Sequence, residues 1–324
     1  MSAAFTSTET PAAGRRFALI GAAGYVAPKH LQAIRETGQT LVAAVDRHDS
    51  VGILDRYFPD ARFFTEVERF DRYLEKCRRD PERKIDAVSV CSPNYLHDAH
   101  IRLALRVQAD AICEKPLVIN PWNLDQLAEL EAESGRRVYT VLQLRLHPSL
   151  QALRERVLAS GGRHEVELTY VTRRGAWYHT SWKGDESRSG GVAMNIGVHF
   201  FDLLHWIFGP AQRTLLHAAG PSRMGGRLEL ERAGVSWFLS VDADDLPGEV
   251  RTQGGFAFRR IVVDGEEIDL SAGFTDLHTA VYRQILDGGG TGIAEARPAI
   301  ETVYHLRQSR PSSIGPDAHP FLRG

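Results

Sequence analysis

The sequence predicts an α/β chain: an N-terminal, doubly wound Rossmann-type dinucleotide-binding domain, followed by an α+β domain built on an open, largely antiparallel sheet. Three observations carry that reading. Up to about Leu146 short apolar runs alternate with longer amphipathic stretches, beyond residue 150 apolar residues recur with period 2, and a glycine turn joins the first apolar run to the first helical stretch. At 324 residues the chain also exceeds what one core usually organises.

The elements follow in order. Residues 1–15, MSAAFTSTETPAAGR, are small, polar and proline-bearing, and read as a disordered lead-in without the apolar segment of a signal peptide. FALI (17–20), LVAAV (41–45), IDAVSVC (85–91), DAIC (110–113) and RVYTVLQL (137–144) read as strands, with helices over 28–37, 67–78, 97–107 and 121–134. Near-continuous apolar strands separated by helices belong to a parallel sheet covered on both faces, here over residues 16–146. Over 147–310 the runs EVELTYVTR (165–173), RLELER (227–232), VSWFLSVD (235–242) and RRIVVDGEEIDL (259–270) alternate, the last around the hairpin pair Asp264-Gly265. One face of this second sheet is expected to be greasy. Glycine pairs at 161–162, 190–191, 225–226 and 254–255 read as loops. Residues 311–324 hold three prolines and read as an irregular tail, either free or strapped onto a neighbouring subunit.

Composition excludes several function classes. Hydrophobic residues are 43% and charged residues 25%, and the net charge of −2 exerts no long-range pull on nucleic acid or an anionic membrane. Mean hydropathy is −0.26, and no apolar run is expected to reach the roughly 18 residues of a membrane span. Three scattered cysteines, Cys77, Cys91 and Cys113, make neither a disulfide framework nor a closed zinc site. No metal is expected, and a reducing cytoplasm is the expected home.

Chemistry concentrates in four segments. GAAGYVAPKH (21–30) follows FALI directly. A dinucleotide turn needs glycine where strand becomes helix, because the pyrophosphate approaches the backbone and rests on the helix N-terminus. Gly21 and Gly24 meet that need, while Ala23 and Val26 stand at the second and third glycine positions of G-x-G-x-x-G. Asp46 ends the second strand 22 residues after Gly24, near the offset of a ribose-binding carboxylate; a helix cap is its other reading. In SVCSPNYLHDAH (89–100), Pro93 stops the strand and Asn94 can cap the next helix. His97 alone reads as a core or helix-surface histidine, yet it stands at a strand's carboxyl end, where ligands sit. CEKPL (113–117) puts Glu114 and Lys115 at the same edge, Lys115 facing the nicotinamide end of a cofactor. In GGVAMNIGVHFFDLLHWIFG (190–209), Asn195, His199 and Asp202 are four and three residues apart and share a helix face; Asp202 and His205 read as structural or exposed.

In this order GAAGxxA, strand-end Asp46, SPNxxH, EKP and NxGxH resemble the Gfo/Idh/MocA oxidoreductase family over roughly residues 16–310. The strings RGAWYHTSWKGD, NIGVHFFDLLH, FLSVDADDLP and GFTDLHT are similar to its WlbA/WbpB group of UDP-N-acetyl-2-amino-2-deoxy-D-glucuronate dehydrogenases, although the commoner family pattern has Asp where Asn195 stands. The resemblance implies oxidation of the sugar's C3 hydroxyl by NAD in bacterial surface-polysaccharide (O-antigen) synthesis. It implies Lys115 and His199 as catalytic residues, with base and polarising roles exchangeable. For the cofactor it implies Gly21, Ala23, Gly24, Tyr25, Val26, Asp46, Ser92, Pro93, Asn94, His97, Glu114, Lys115, Gln143 and Trp182, with Arg145 also near the nicotinamide. For the UDP-sugar acid it implies Lys115, Arg174, Tyr178, Ser181, Lys183, Asn195 and His199. It further implies NADH reoxidation by 2-oxoglutarate in some members, and a homo-oligomer, a tetramer with sheets packed face to face. Asp46 is expected to favour NAD over NADP, with Arg47 beside it as the competing element. A relative acting on another sugar or inositol is the rival enzyme. A silent dinucleotide sensor is the rival of another class, and the presence of both Lys115 and His199 argues against it.

Overall fold

The computed structural model describes residues 14–270 and 273–323, so residues 1–13 of the expected lead-in lie outside the described residues. The chain runs β1 (Arg16–Ile20), α1 (Ala27–Glu36), β2 (Thr40–Val45), α2 (Ile53–Tyr57), β3 (Arg62–Phe64), α3 (Val67–Arg78), β4 (Ala87–Val90), α4 (His97–Arg106), β5 (Asp110–Cys113), α5 (Trp122–Ser134) and β6 (Val138–Thr140). These strands form one parallel sheet in the order β3-β2-β1-β4-β5-β6. The winding reverses between β1 and β4, and the crevice at their carboxyl ends is where a doubly wound sheet takes its ligand. One sheet face buries Phe17 and Leu19 against Leu31 and Ile34 of α1. The other packs on Phe70, Leu74, Ile101 and Leu124.

The second half comprises α6 (Pro148–Ser160), β7 (His164–Thr172), α7 (Trp177–Thr180), α8 (Glu186–Ser189), a π-turn at Ala193–Gly197, α9 (Val198–Phe208), β8 (Ala211–Ala219), β9 (Arg223–Leu230), β10 (Ala233–Ser240), α10 (Gly248–Thr252), β11 (Ala257–Val263), β12 (Glu266–Glu267), α11 (Leu277–Leu286) and α12 (Ile293–Gln308). Its sheet has the order β12-β11-β7-β10-β9-β8, mixed because β7 and β10 run parallel while the other pairs are antiparallel. Asp264 and Gly265, both at positive φ, make the two-residue turn between β11 and β12. Helix α11 crosses back: its Val281, Tyr282 and Ile285 join the Phe17 and Leu19 cluster of the first domain.

Several expectations need correction. Gly225 and Gly226 lie inside β9, not in a loop, because a Cβ at Gly225 would stand 2.7 Å from Leu322 and one at Gly226 would stand 3.0 Å from the buried ring of Trp237. RVYTVLQL stays extended only over Val138–Thr140, after which a 3-10 turn carries Gln143. The segment Glu186–Phe208 does have the length and hydropathy of a membrane span, but it is broken at Gly190 and Gly191, both at positive φ, and most of its apolar stretch is buried, as in a core helix.

The greasy sheet face exists but is already covered. Trp237 is fully buried against Phe201 of α9, and Val235 and Leu239 are buried in the same cluster. The opposite face carries ion pairs, Arg227 with Glu165 and Glu229, and Arg260 with Glu167 and Glu267. Its apolar patch around Phe238 and Val171 is capped by the chain's own end. His319 bonds Thr169 Oγ1 at 2.9 Å and stacks on Phe238, while Ser312 donates to the carbonyl of Leu216. The tail is therefore a strap on its own subunit.

This strap makes stability depend on pH. Burial, then the charge of Arg323, pushes the His319 pKa down to about 4, and burial does the same to His100 and His205. The unfolded chain binds these protons from about pH 6.5 downward and the folded chain only near pH 4, so stability falls across that window. We expect a lower urea midpoint at pH 5 than at pH 7. His319→Ala should lose about 1–3 kcal/mol at pH 7, since Thr169 loses its partner and Phe238 its cover. An unchanged midpoint in that variant would show that the strap carries no stability.

Candidate active site

The first four segments meet at the carboxyl edge of the parallel sheet. Gly21, at φ +93°, is pressed against β4: a Cβ there would lie 2.7 Å from the carbonyl oxygen of Cys91. Gly24 is also confined, though less, with the Gly21 carbonyl 3.0 Å from a Cβ position. The turn leads into α1, with Val26 at the cap and Pro28 in the first turn. Tyr25 projects into solvent, 92% exposed. Asp46 ties the arrangement together: Oδ2 accepts the Ala23 N–H at 3.0 Å and Oδ1 the His48 N–H at 2.9 Å. Its backbone cradle and strand-end carboxylate are what a dinucleotide requires, and Gln143 adds a buried Oε1 with no partner among the described residues.

Other residues of the expected cofactor set are used internally. Asn94 does not cap α4; its amide donates at 2.8 Å to the carbonyl of Ser189 in the second half. Beside Pro93, Ser92 Oγ bonds His100 Nδ1. The two ring nitrogens of His97 lie 2.7 and 2.8 Å from the carbonyls of Pro116 and Ser92, which leaves neither for a cofactor. A neutral ring donates to one of them at a time, and burial lowers its pKa toward that neutral form. His97 thus clamps the turn after β4 to the turn after β5. Arg145 is likewise structural, bidentate to buried Asp202 at 2.6 and 2.9 Å, and His205 bonds Thr302.

Lys115 points from the turn after β5 into the second half, where its Nζ donates at 3.0 Å to the carbonyl of Asn195. Asn195 lies in the π-turn Ala193–Gly197, which leads directly into the helix that carries His199. Asn195 donates its amide at 2.9 Å to the hydroxyl of Tyr178, which is buried. Ser181 closes its own turn, bonding the carbonyl of Tyr178 and the N–H of Lys183. Tyr178 and Ser181, expected at the substrate, are held in place by these bonds. Trp182 and Trp177 flank the Lys183 ammonium at 5.5 and 5.6 Å.

Electrostatically this is a cluster of cations. Among the described residues no carboxylate pairs with Lys115, Arg174 or Lys183. Burial, then the neighbouring Lys183 and Arg174, brings the Lys115 pKa to about 8 against the opposing pull of Glu114. Burial, then the charge of Lys115, holds His199 well below its ordinary value. His199 Nδ1 is buried without a partner among the described residues. The arrangement sets a neutral imidazole beside an ammonium, with Arg174 and Lys183 acting on the same ammonium, a combination suited to an anionic ligand.

Glu114 is not exposed toward a cofactor. It is buried, and its Oε1 accepts from His30 Nε2 of α1 and His278 Nε2 of α11, both at 3.0 Å. Tyr282 links His30 Nδ1 to Ser89. These partners were not singled out from sequence, although His30 ends GAAGYVAPKH and His278 stands in GFTDLHT.

Comparison with known proteins agrees with this architecture. Residues 15–142 match the oxidoreductase family model with an NAD-binding Rossmann fold, and residues 161–246 match that family's C-terminal alpha/beta domain. The WlbA (WbpB) dehydrogenase of Thermus thermophilus, solved with NAD and alpha-ketoglutarate, is 54% identical with a TM-score of 0.92, covering 95% of this chain and 99% of that one. Its complex with NAD and UDP-GlcNAcA matches at 53% and 0.91, over the same shares. D-glucoside 3-dehydrogenase of Escherichia coli is 29% identical over 136 residues, 41% of this chain and 38% of that protein. The chain spans about half the length of the curated relatives it matches, 40% of one and 58% of another. With both family models matched in order and the doubly wound and mixed sheets in place, the chain belongs to the Gfo/Idh/MocA oxidoreductase family.

Proposed function

We propose that this chain is an NAD-dependent dehydrogenase that oxidises the C3 hydroxyl of UDP-N-acetyl-2-amino-2-deoxy-D-glucuronate to the 3-keto sugar nucleotide, in surface-polysaccharide sugar synthesis. The observation that carries the reading is the convergence of Lys115, Arg174 and Lys183, with no carboxylate in ion-pair contact among the described residues, beside a histidine whose basicity burial and then Lys115 suppress. Such a site suits a ligand bearing both a carboxylate and a diphosphate. The likeness to a dehydrogenase solved with NAD and UDP-GlcNAcA, at 53% identity, supports the same ligand. A complex of that dehydrogenase with alpha-ketoglutarate supports 2-oxoglutarate as the oxidant that regenerates the cofactor.

NAD+, held by the Gly21–Gly24 turn and Asp46, supplies the hydride acceptor when bound. The chain's own residues handle the proton. Oxidising a secondary alcohol requires its hydroxyl proton to leave, and neutral His199 accepts it. The Lys115 ammonium donates a hydrogen bond to the same oxygen and stabilises the negative charge that develops there. Arg174 and Lys183 hold the anionic groups of the substrate, while the bond from Lys115 to the Asn195 carbonyl keeps the ammonium on the side of His199.

All three cysteines are free and buried, which suits the reducing cytoplasm where we place the enzyme. A homotetramer remains our reading of its assembly, although the exposed sheet face is ion-paired rather than greasy. Light scattering that gives a stable monomer at micromolar concentration sinks it.

The direct test mixes the protein with UDP-N-acetylglucosaminuronic acid and NAD+ and follows NADH, with free sugars and inositols as controls. Turnover confined to a free sugar or inositol overturns the substrate. His199→Asn and Lys115→Met should each lose roughly 10²–10⁴ in rate while cofactor binding stays near parental; near-parental turnover in either reassigns that residue as structural. NAD should bind more tightly than NADP because the Asp46 carboxylate repels a 2′-phosphate, and the reverse order in a titration refutes its assignment. With His199 as base, kcat/KM should fall above about pH 8 as Lys115 loses its proton. A rate that instead rises through that pH makes Lys115 the base.

A further inference from the structure

We propose that Glu114 is a positioning residue for the reaction: a buried counter-charge that keeps Lys115 an ammonium directed across the cleft, itself locked by His30 and His278. The inference rests on reading Lys115 as the group that bonds the reacting oxygen.

The geometry separates this carboxylate from direct catalysis. Oε1 is committed to the two imidazoles at 3.0 Å each, and Oε2 accepts the backbone N–H of Lys115 at 3.2 Å. Glu114 therefore cannot swing toward a substrate. It acts on Lys115 in two ways, through the hydrogen bond to the turn that carries the lysine and through space on the ammonium. Burial alone would raise its pKa, but the hydrogen bonds from His278 and His30 outweigh burial and keep it ionised.

The groups that bear on Lys115 come from several elements of both halves. His97 stands on α4, His199 on α9, and Arg174 and Lys183 in the segment between β7 and α8. Tyr178 is linked to the lysine through Asn195, whose amide it accepts and whose carbonyl the lysine bonds. Burial, Lys183 and Arg174 all favour loss of the lysine's proton, and Glu114 is the opposing charge. The same anion opposes the pull of Lys115 on His199. A single charge thus supports the protonated state of one partner and the basicity of the other.

The locking groups also tie that charge to the cofactor side. His30 lies on the helix that begins at the dinucleotide turn, and His278 lies on a helix 164 residues downstream of Glu114. Tyr282 and Ser89 complete a chain in which Ser89 O–H donates to Tyr282, Tyr282 O–H to His30 Nδ1, and His30 Nε2–H to Glu114. An isolated structural brace would not need a charge; a counter-ion does.

The test reads the lysine without turnover, so that failure of the substrate assignment leaves it intact. Trace acetylation of the full chain with acetic anhydride, measured as a function of pH by peptide mass spectrometry, reports when Lys115 Nζ becomes a free amine. The parent should show its inflection near pH 8. Glu114→Gln should move it down by on the order of one pH unit, and the basic limb of kcat with the sugar nucleotide should follow, with KM little changed. Glu114→Asp keeps the charge but shortens its reach, and its inflection should fall between the two. An inflection at the parental pH in folded Glu114→Gln overturns the proposal and leaves Glu114 a brace. Should Glu114→Gln not fold, the Asp variant decides: an inflection below the parent's supports the counter-ion, and one at or above it refutes it.

Discussion

A carboxylate in a protein interior loses the hydration that stabilises its charge, and it stays ionised only where N–H groups replace the lost water. Glu114 meets that constraint by drawing one imidazole from α1 and another from α11, elements separated by most of the chain. The rest of the site depends on this satisfaction. The turn that carries Lys115 is held by Glu114 from below and by His97 through the Pro116 carbonyl from the side. A side chain anchored at both its backbone neighbours can present a charge in a narrow arc, which is what bonding one oxygen requires.

The second half answers with a broken helix. The Lys115 ammonium bonds the Asn195 carbonyl inside the π-turn that precedes α9. This contact is also a bridge between the two halves, alongside the Asn94 bond to the Ser189 carbonyl. Lys115, Arg174 and Lys183 then stand near one another with no carboxylate in ion-pair contact among the described residues, Glu114 opposing the repulsion on Lys115 only through space, an arrangement unfavourable to folding that an anionic ligand relieves. Chemistry, rather than stability, accounts for its presence.

The mixed sheet shows how far apolar alternation reaches as evidence. Val235, Trp237 and Leu239 do form a greasy face, but α9 had to come from earlier in the chain to cover it. On the other face Phe238 and Val171 form an apolar patch among ion pairs, and the last residues of the same chain close over it. Period 2 marks a face that must be buried; it does not name what buries it.

What the sequence determined by itself was local. FALI, LVAAV, AVSV and DAIC are apolar enough to be buried on both sides, so a parallel sheet and its strand-end turns were legible, and with them Gly21, Asp46, Lys115 and the helix bearing His199. Turn chemistry at Asp264-Gly265 was equally plain, because positive φ at two successive residues selects that pair. Tertiary structure alone decided the partners. No spacing rule links Glu114 to His278, 164 residues away, or Thr169 to His319, and the Gly225-Gly226 pair could be told from a loop only once Trp237 and Leu322 were packed against it. The physical reason is that periodicity records which side of an element avoids water, while hydrogen bonds and close contacts depend on which distant element arrives there.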